Sequence, residues 1–305
     1  MIDGPETELP LHGLAVDAFG GRATIEVSTE LDREVLAEAA GIIRELHSCL
    51  TRFDPESELS RLNLNPEPTV AASETMRRFV HAATRAARDT GGLVDPTVLP
   101  ELEAAGYVRS LSGSGAPRAG RLAIPPRDDR SKEGWKSLSV DDAAGTVTRE
   151  PGLRLDAGGI GKGLAADLVA EYLSGFGPEA FTVNCLGDIR SGGIARTVEI
   201  TSPFDPARVI ASIPLADAAL ATSGTTKRSW TRDDGTTAHH LIDPRSGRPS
   251  ETALAQVTAV APTGTEAEVR AKAALLSGPE ECDRWLPDGG VIVHRDGTVR
   301  CLGDF

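Results

Sequence analysis

The chain has 305 residues, of which 40% are hydrophobic, so it is long enough to bury one large core or two smaller ones. Its 45 Asp and Glu residues outnumber its 32 Lys and Arg residues, which gives a formal net charge of −13. Such a chain repels phosphate backbones, and its longest basic cluster, Lys227-Arg228 with Arg232, is too short to follow a duplex, so nucleic acid is not an expected partner. Because the first residues lack a signal peptide and no apolar run is long enough to span a membrane, we expect a cytoplasmic protein with no membrane contact.

Hydrophobic periodicity predicts both strands and helices in the first half of the chain. Alternation of apolar and polar residues predicts a strand at 22–28. Apolar residues at helical spacing predict a helix at 30–50 and a second one that begins at Ser73 and stops at 90–92. The sequence of residues 111–130, rich in Gly, Pro and Ser, predicts a mobile surface insertion.

The second half of the chain is predicted to form further strands and few helices. Strands are predicted at 136–140, 146–149, 181–184 and 256–261, with strand-like runs between 197 and 222. A helix is predicted at about 266–277, and a hairpin joins 291–295 to 298–302 around Asp296-Gly297. Strands and helices do not alternate strictly, which favours an α+β fold over a doubly wound sheet.

The glycine-rich segment at 155–163 is the most informative local motif. Four of the six residues at 158–163 are glycine, and this lets the backbone approach a ligand closely. Leu164, Leu168 and Tyr172 recur at helical spacing, so the glycines open a helix whose first amide groups are expected to be free to bind an anion. Lys162 adds a charge suited to a phosphate. The spacing matches neither the dinucleotide-binding nor the Walker A motif, and a strand-to-helix turn with a solvated lysine explains it equally well.

Six segments, taken together, carry a resemblance to a known family. They are SELSRLN at 57–63, TGGLVDPTV at 90–98, the glycine-rich segment, VNCLGD at 183–188, ATSG at 221–224 and HLIDPRSG at 240–247. In this order and spacing the chain resembles the ApbE-like family, the FAD:protein FMN transferases, over roughly residues 19 to 280. The resemblance implies an ApbE-like α+β fold with mixed or antiparallel sheets packed against helices. It also implies one domain at 19–305, after an N-terminal extension at 1–18.

The resemblance implies an activity as well. Members of the family bind FAD, use a divalent cation, usually magnesium, and transfer FMN to a threonine or serine hydroxyl of a partner flavoprotein, with release of AMP. We therefore expect FAD as substrate, Mg²⁺ as cofactor and an acceptor flavoprotein domain as partner. Two alternatives remain open: a non-catalytic FAD-binding carrier, and an FAD pyrophosphatase that has no protein acceptor.

The resemblance also assigns roles to single residues. His240 and Ile242 match the transfer site, and His240 is the best candidate for a general base because its ordinary pKa lies near neutrality. A purely structural histidine at the end of a strand is the alternative. Asp243 either orients His240 or the acceptor hydroxyl, or serves only to form a turn. The residues expected to bind the cofactor are Phe53, Ser60, Asn63, Leu93, Val94, Asp95, Asp156, Lys162, Thr222, Ser223, Gly224 and Ile242. Structural alternatives remain for three of these positions: a turn cap for Asn63, a turn for Asp95 and the end of a strand for 222–224.

The expected metal site departs from the family pattern. The backbone carbonyl of Gly159 matches a ligand position, but the family's aspartate and the threonine four residues after it are replaced here by Glu268 and Lys272. A glutamate can ligate magnesium, whereas a lysine cannot, because an ammonium group has no lone pair. Two structural explanations compete: a capping box formed by Thr265 and Glu268, and an ion pair between Glu268 and Lys272. Our hypothesis is that the Lys272 ammonium replaces part of the cation's charge, which would preserve FAD binding and weaken magnesium dependence and turnover.

Overall fold

The computed structural model describes residues 12–28, 31–108, 133–231, 235 and 237–303. The insertion predicted at 111–130 lies outside these residues. Within the described part of the chain, no helix is both long and apolar enough to cross a membrane.

An eight-stranded sheet forms the centre of the fold, and all of its neighbouring strands are antiparallel. In spatial order its strands are β1 (His12–Ala18), β2 (Gly21–Val27), β6 (Ala180–Cys185), β7 (Asp188–Gly193), β10 (Ala219–Gly224), β15 (Leu254–Ala261), β16 (Gly290–His294) and β17 (Val299–Leu302). This sheet, together with the helices below, confirms the predicted α+β class. The edge strand β1 lies in the part of the chain that was assigned to an N-terminal extension, so the sheet begins before residue 19.

Shorter strands form four small sheets beside the central one. The strands β3 (Thr69–Ala71), β4 (Ser139–Asp141) and β5 (Thr146–Thr148) make a three-stranded sheet. The pairs are β8 (Arg196–Thr201) with β9 (Val209–Leu215), β11 (Ser229–Thr231) with β12 (Thr237–His239), and β13 (Ile242–Asp243) with β14 (Arg248–Pro249). The strand predicted at 136–140 is only partly correct, because Gly134–Ser137 is a 3₁₀ turn in which the Ser137 hydroxyl donates to the carbonyl of Gly134.

The helices pack against the sheet, and helices and strands both contribute many of the buried apolar side chains. They are α1 (Arg33–Leu50), α2 (Glu58–Leu64), α3 (Glu74–Asp89), α4 (Leu99–Ala104), α5 (Gly161–Ser174) and α6 (Gly264–Ser277). Helix α1 buries the stripe that its spacing predicts, including Leu36, Ile43 and Leu46. Helix α3 begins as predicted, since the hydroxyl of Ser73 accepts a hydrogen bond from the amide of Met76 at 3.1 Å.

Helices α5 and α6 begin side by side at a contact between two glycines. A Cβ on Gly163 would lie 2.3 Å from the carbonyl oxygen of Gly264, so only glycine permits this approach. Each helix also supplies a carboxylate to the start of the other. Asp167 of α5 accepts from the amides of Gly264 at 2.6 Å and Thr265 at 2.8 Å, and Glu268 of α6 accepts from the amide of Gly163 at 2.9 Å. These reciprocal caps fix the two N-terminal turns beside the glycine-rich segment.

Candidate active site

The glycine-rich segment is held in place by side chains from distant parts of the sequence. The side-chain amide of Asn63, on α2, pairs with both backbone groups of Leu155, donating to its carbonyl at 2.8 Å and accepting from its N–H at 2.7 Å. One oxygen of Asp156 accepts from the amide of Gly158 at 2.8 Å and so turns the chain toward α5. The amide of Asn63 is thus engaged with the backbone that carries the site.

The start of α5 differs from the sequence prediction. The motif predicts free amide groups for an anion, but the amide of Gly163 donates to the internal carboxylate of Glu268. The predicted capping box is also absent from the described start of α6, where Thr263 is the N-cap and accepts from the amide of Glu266 at 3.2 Å. Glu268 therefore stabilises the neighbouring helix instead of its own.

Lys162 forms ion pairs with two buried carboxylates. Its ammonium pairs with Asp188, at the first position of β7, and with Glu268 at 3.2 Å. Burial alone would lower the pKa of Lys162, but the two carboxylates raise it, so the group stays charged. Burial raises the pKa of Asp188, against the opposing effect of the Lys162 ammonium. The sequence suggested that Lys162 is either solvated or directed at a phosphate. In the structure it forms ion pairs within the protein instead.

Lys272 lies beside Gly159, the residue with which the resemblance groups it in the expected metal site. Its Nζ lies against Gly159, where an added Cβ would be 2.6 Å from that nitrogen. The predicted ion pair with Glu268 does not form, because Glu268 is engaged by Lys162 and Gly163. Lys272 instead lines a small cavity together with the predicted residues Val94, Asp95, Asp156 and Gly159.

An arginine that the sequence analysis did not select joins this cavity to an aromatic cluster. Arg52 pairs with Asp156 at 2.9 Å and donates to the carbonyl of Tyr107 at 2.6 Å. Its guanidinium lies 4.3 Å from the ring centre of Phe53 and 4.7 Å from that of Tyr107. Tyr107 in turn stacks on Trp230 with ring centres 5.6 Å apart. Phe53 remains 39% exposed, so part of its aromatic surface is open to solvent.

His240 lies on the other side of Tyr107, with ring centres 6.4 Å apart. Its Nδ1 is 3.3 Å from the carbonyl oxygen of Arg228, and since a carbonyl only accepts, the proton belongs on Nδ1 and the lone pair on Nε2. Burial, with the charges of Arg228 and Lys272 nearby, holds the pKa of His240 well below its ordinary value of 6.5. The imidazole is thus neutral, and its Nε2 carries an unprotonated lone pair beside two cations.

The neighbouring histidine has a different role. His239 is buried, its Nε2 lies 3.0 Å from the carbonyl of Ser250, and its Nδ1 accepts from the amide of Leu241. Both ring nitrogens are used to fix the chain between β12 and β13. His239 therefore has a structural role.

Other residues selected from the sequence contact the protein itself. The carboxylate of Asp243 binds Arg245 at 2.9–3.2 Å and accepts from its amide, so the turn role is the one observed, and no contact with His240 is present within the described residues. The hydroxyls of Thr222 and Thr258 lie 2.8 Å apart across β10 and β15. The remaining members of the set are buried or partly buried on their elements: Ser60, Leu93, Ser223, Gly224 and Ile242.

Two cations were missed, and each had a sequence signal. Arg52 directly precedes Phe53, which the family resemblance selects. Arg228 belongs to the basic cluster at 227–232, considered only as a nucleic-acid contact. Burial lowers the pKa of His240 and the charge of Arg228 lowers it further, while the same charge opposes the rise that burial gives the pKa of Tyr107, so Arg228 belongs to the residues of the site.

Comparison with known proteins agrees with this fold. The sequence matches the ApbE family over residues 19–293. It is 29% identical over 267 residues to the FAD:protein FMN transferase of Vibrio cholerae, covering 83% of this chain and 74% of that protein. The Escherichia coli K12 protein of the same name is 28% identical over 262 residues, covering 80% of this chain and 71% of that protein.

Solved structures show the same architecture. The ApbE protein of Thermotoga maritima superposes with a TM-score of 0.81 at 25% identity, covering 96% of this chain and 97% of that one. The flavinyl transferase ApbE of Pseudomonas stutzeri shares the fold with a TM-score of 0.78 at 22% identity, covering 96% of this chain and 94% of that one. The fold is that of the ApbE flavin transferases. The chain belongs to the ApbE family and is a transferase.

The magnesium that the resemblance implies does not fit the side chains at the expected position. Within the described residues, no group of three or more His, Cys, Asp or Glu side chains is arranged to hold a metal ion. Of the two expected side-chain ligands, Glu268 has one oxygen on Lys162 and the other on the amide of Gly163, and Lys272 offers only donors. The donor set therefore suits an anion better than a cation.

Proposed function

We propose that this chain transfers FMN from FAD to a threonine or serine hydroxyl of a partner flavoprotein and releases AMP. The observation that carries the proposal is the position of a neutral His240, with Nε2 available as a base, near Lys272 and Arg228 in a chain of this family. Its curated relatives are named FAD:protein FMN transferase. A base beside several cations is the arrangement that attack of a hydroxyl on a diphosphate requires.

The proposed reaction is a single phosphoryl-type displacement. The acceptor hydroxyl oxygen forms a bond to the phosphorus on the FMN side of the diphosphate, and its proton passes to Nε2 of His240. The bond from that phosphorus to the bridging oxygen breaks, and the bridging oxygen leaves with AMP. The products are a phosphodiester between FMN and the acceptor, AMP and one proton. Lys272, Arg228 and Arg52 would stabilise the negative charge that moves to the bridging oxygen.

The same arrangement suggests how FAD would lie. The diphosphate would sit at the cavity beside Lys272 and Gly159, and a flat ring would stack on the exposed face of Phe53. We keep the other sequence-selected residues as proposed cofactor contacts: Ser60, Asn63, Leu93, Val94, Asp95, Asp156, Lys162, Thr222, Ser223, Gly224 and Ile242. For Asn63, Asp156 and Lys162 the contacts observed within the protein indicate an indirect role, through placement of the backbone and the ion pairs around the ligand.

The test is an incubation of the full chain with FAD and a candidate flavoprotein domain. A matched domain whose target threonine is replaced by valine serves as control. Release of AMP together with flavin fluorescence on the intact domain in a denaturing gel, and none on the valine domain, supports the transferase. AMP release that is independent of the domain indicates a pyrophosphatase instead. Tight flavin binding without AMP indicates a carrier.

A further inference from the structure

Lys272 is a cation of the site that has no direct anionic partner among the residues that the structure describes. It lies on the third turn of α6, partly buried, with its Nζ against Gly159. Within the described residues its ammonium makes no hydrogen bond and no ion pair. Asp156, Glu268 and Asp95 are near enough to influence its charge, yet burial dominates and lowers the pKa of Lys272. A desolvated cation of this kind is stabilised most by a ligand that brings negative charge.

The second lysine of the site cannot take that role without breaking an ion pair. Lys162 is held by Asp188 and by Glu268, and its charge is balanced before any ligand arrives. Arg52 is likewise paired with Asp156 at 2.9 Å. Lys272 is therefore the lysine of this cluster that can turn directly to a phosphate.

The surroundings of Lys272 also act against a divalent cation. The Nζ of Lys272 lies only 2.6 Å from where a Cβ on Gly159 would stand, so a metal ion bound at this face of Gly159 would have the ammonium as its neighbour. It would also have to draw Glu268 away from Lys162 and from the amide of Gly163. Like charges at contact distance repel strongly in a partly buried site, so the ammonium and a metal ion exclude each other there.

We propose that the Lys272 ammonium stands where a divalent cation would otherwise sit, and that this chain binds the diphosphate of FAD without a metal ion. The proposal deepens the proposed function and rests on it. The Lys272 Nζ donates to diphosphate oxygens beside Gly159, while Lys162, Asp188 and Glu268 remain a balanced set behind it.

The first experiment measures the affinity of the full chain for FAD by calorimetry. Protein treated with EDTA and then dialysed is titrated with FAD, and the titration is repeated in excess MgCl₂ with bound magnesium measured by elemental analysis. We expect dissociation constants that agree within about twofold, and less than about 0.1 magnesium per chain in the FAD complex. At least a tenfold loss of affinity in EDTA, or uptake of one magnesium per chain with FAD, would overturn the proposal.

Variants test whether the ammonium itself is responsible. Lys272→Met keeps the length of the side chain and removes the charge, so FAD affinity in EDTA should fall about tenfold or more, the size expected for a lost charged hydrogen bond. Lys272→Arg should retain most of the affinity. Lys136→Met is the matched control, since that lysine is exposed and paired with Glu133. Unchanged affinity of Lys272→Met, with a native circular dichroism spectrum, would also overturn the proposal.

The outcomes separate the two proposals. If the wild-type chain binds FAD and transfers FMN only with magnesium, the proposal for Lys272 is wrong and the proposed function stands. If it binds no FAD in either buffer, both are wrong. FAD binding that needs no metal and is weakened by Lys272→Met supports the proposal for Lys272. This holds whether the bound FAD then serves as an FMN donor or is hydrolysed.

Discussion

Gly163 and Gly264 meet where α5 and α6 begin, and a methyl group on Gly163 would lie 2.3 Å from the carbonyl oxygen of Gly264. The obstacle is backbone on another helix, so no side-chain rotation relieves it. We expect Gly163→Ala to lower the free energy of unfolding by about 2–3 kcal/mol, as overpacking does. Urea denaturation measures the change.

A second glycine gives the matched control for that prediction. Gly41 lies inside α1, and nothing comes within 4 Å of an added Cβ there. Gly41→Ala should therefore raise the free energy of unfolding by about 0.5–1 kcal/mol, because alanine is the better helix former. Equal effects of the two substitutions would contradict the close contact between α5 and α6.

Gly159→Ala should affect the ligand more than the fold. The added methyl would meet the Nζ of Lys272 at 2.6 Å, and since this is the end of a flexible side chain, the ammonium moves and the backbone stays. We expect a thermal midpoint within a few degrees of wild type and FAD affinity reduced about tenfold. Gly161→Ala, whose nearest contact would be Ala157 at 3.7 Å, is the control that should leave the affinity unaltered.

His240→Ala should separate binding from transfer. The substitution removes the basic Nε2, which the proposal places at the acceptor hydroxyl, and leaves Lys272 at the diphosphate. FAD affinity should stay within about threefold of wild type while transfer falls about 10²–10⁴-fold, the usual contribution of a general base. His81→Ala, a surface residue paired with Asp142, should transfer normally. A His240→Ala variant that transfers at the wild-type rate would rule out this residue as the base.

The buried neutral state of His240 also makes stability depend on pH. Its pKa in the folded chain lies well below the ordinary 6.5, so below pH 6.5 the unfolded chain takes up a proton that the folded chain does not. Stability from this group is complete above pH 6.5 and falls as the pH drops, by about 1 kcal/mol between pH 6.5 and 5.5. His240→Gln, which does not titrate, should lack this loss when urea unfolding is compared at the two values. Parallel changes in both proteins would show that the histidine is already protonated in the folded chain.

Local signals predicted much of the fold. Ser73 caps α3 as its sequence indicates, and the hairpin of β16 and β17 turns at Gly297, which has a φ of +89°. The apolar spacing of α1 and of β15 is likewise a property of neighbouring residues, so it can be recognised without the tertiary structure.

The roles of the two lysines could not be predicted in this way. Lys162 lies in a motif that suggests a phosphate, but Asp188 and Glu268, 26 and 106 residues further along the chain, neutralise it. Lys272 was recognised as unusual only against a family pattern, and its position over Gly159 depends on how α6 crosses α5. Spacing along a sequence does not determine which of several charges pair once the helices meet.

Because Asp167 and Glu268 cap each other's helices, the residue at position 272 can change without disturbing how α5 and α6 meet. Position 272 lies one helical turn beyond Glu268 and takes no part in the caps, so its side chain can change identity while the junction of the two helices is retained. The contacts that join the two helices are therefore independent of the charge that residue 272 presents to the cavity. One substitution at this position is enough to change that charge.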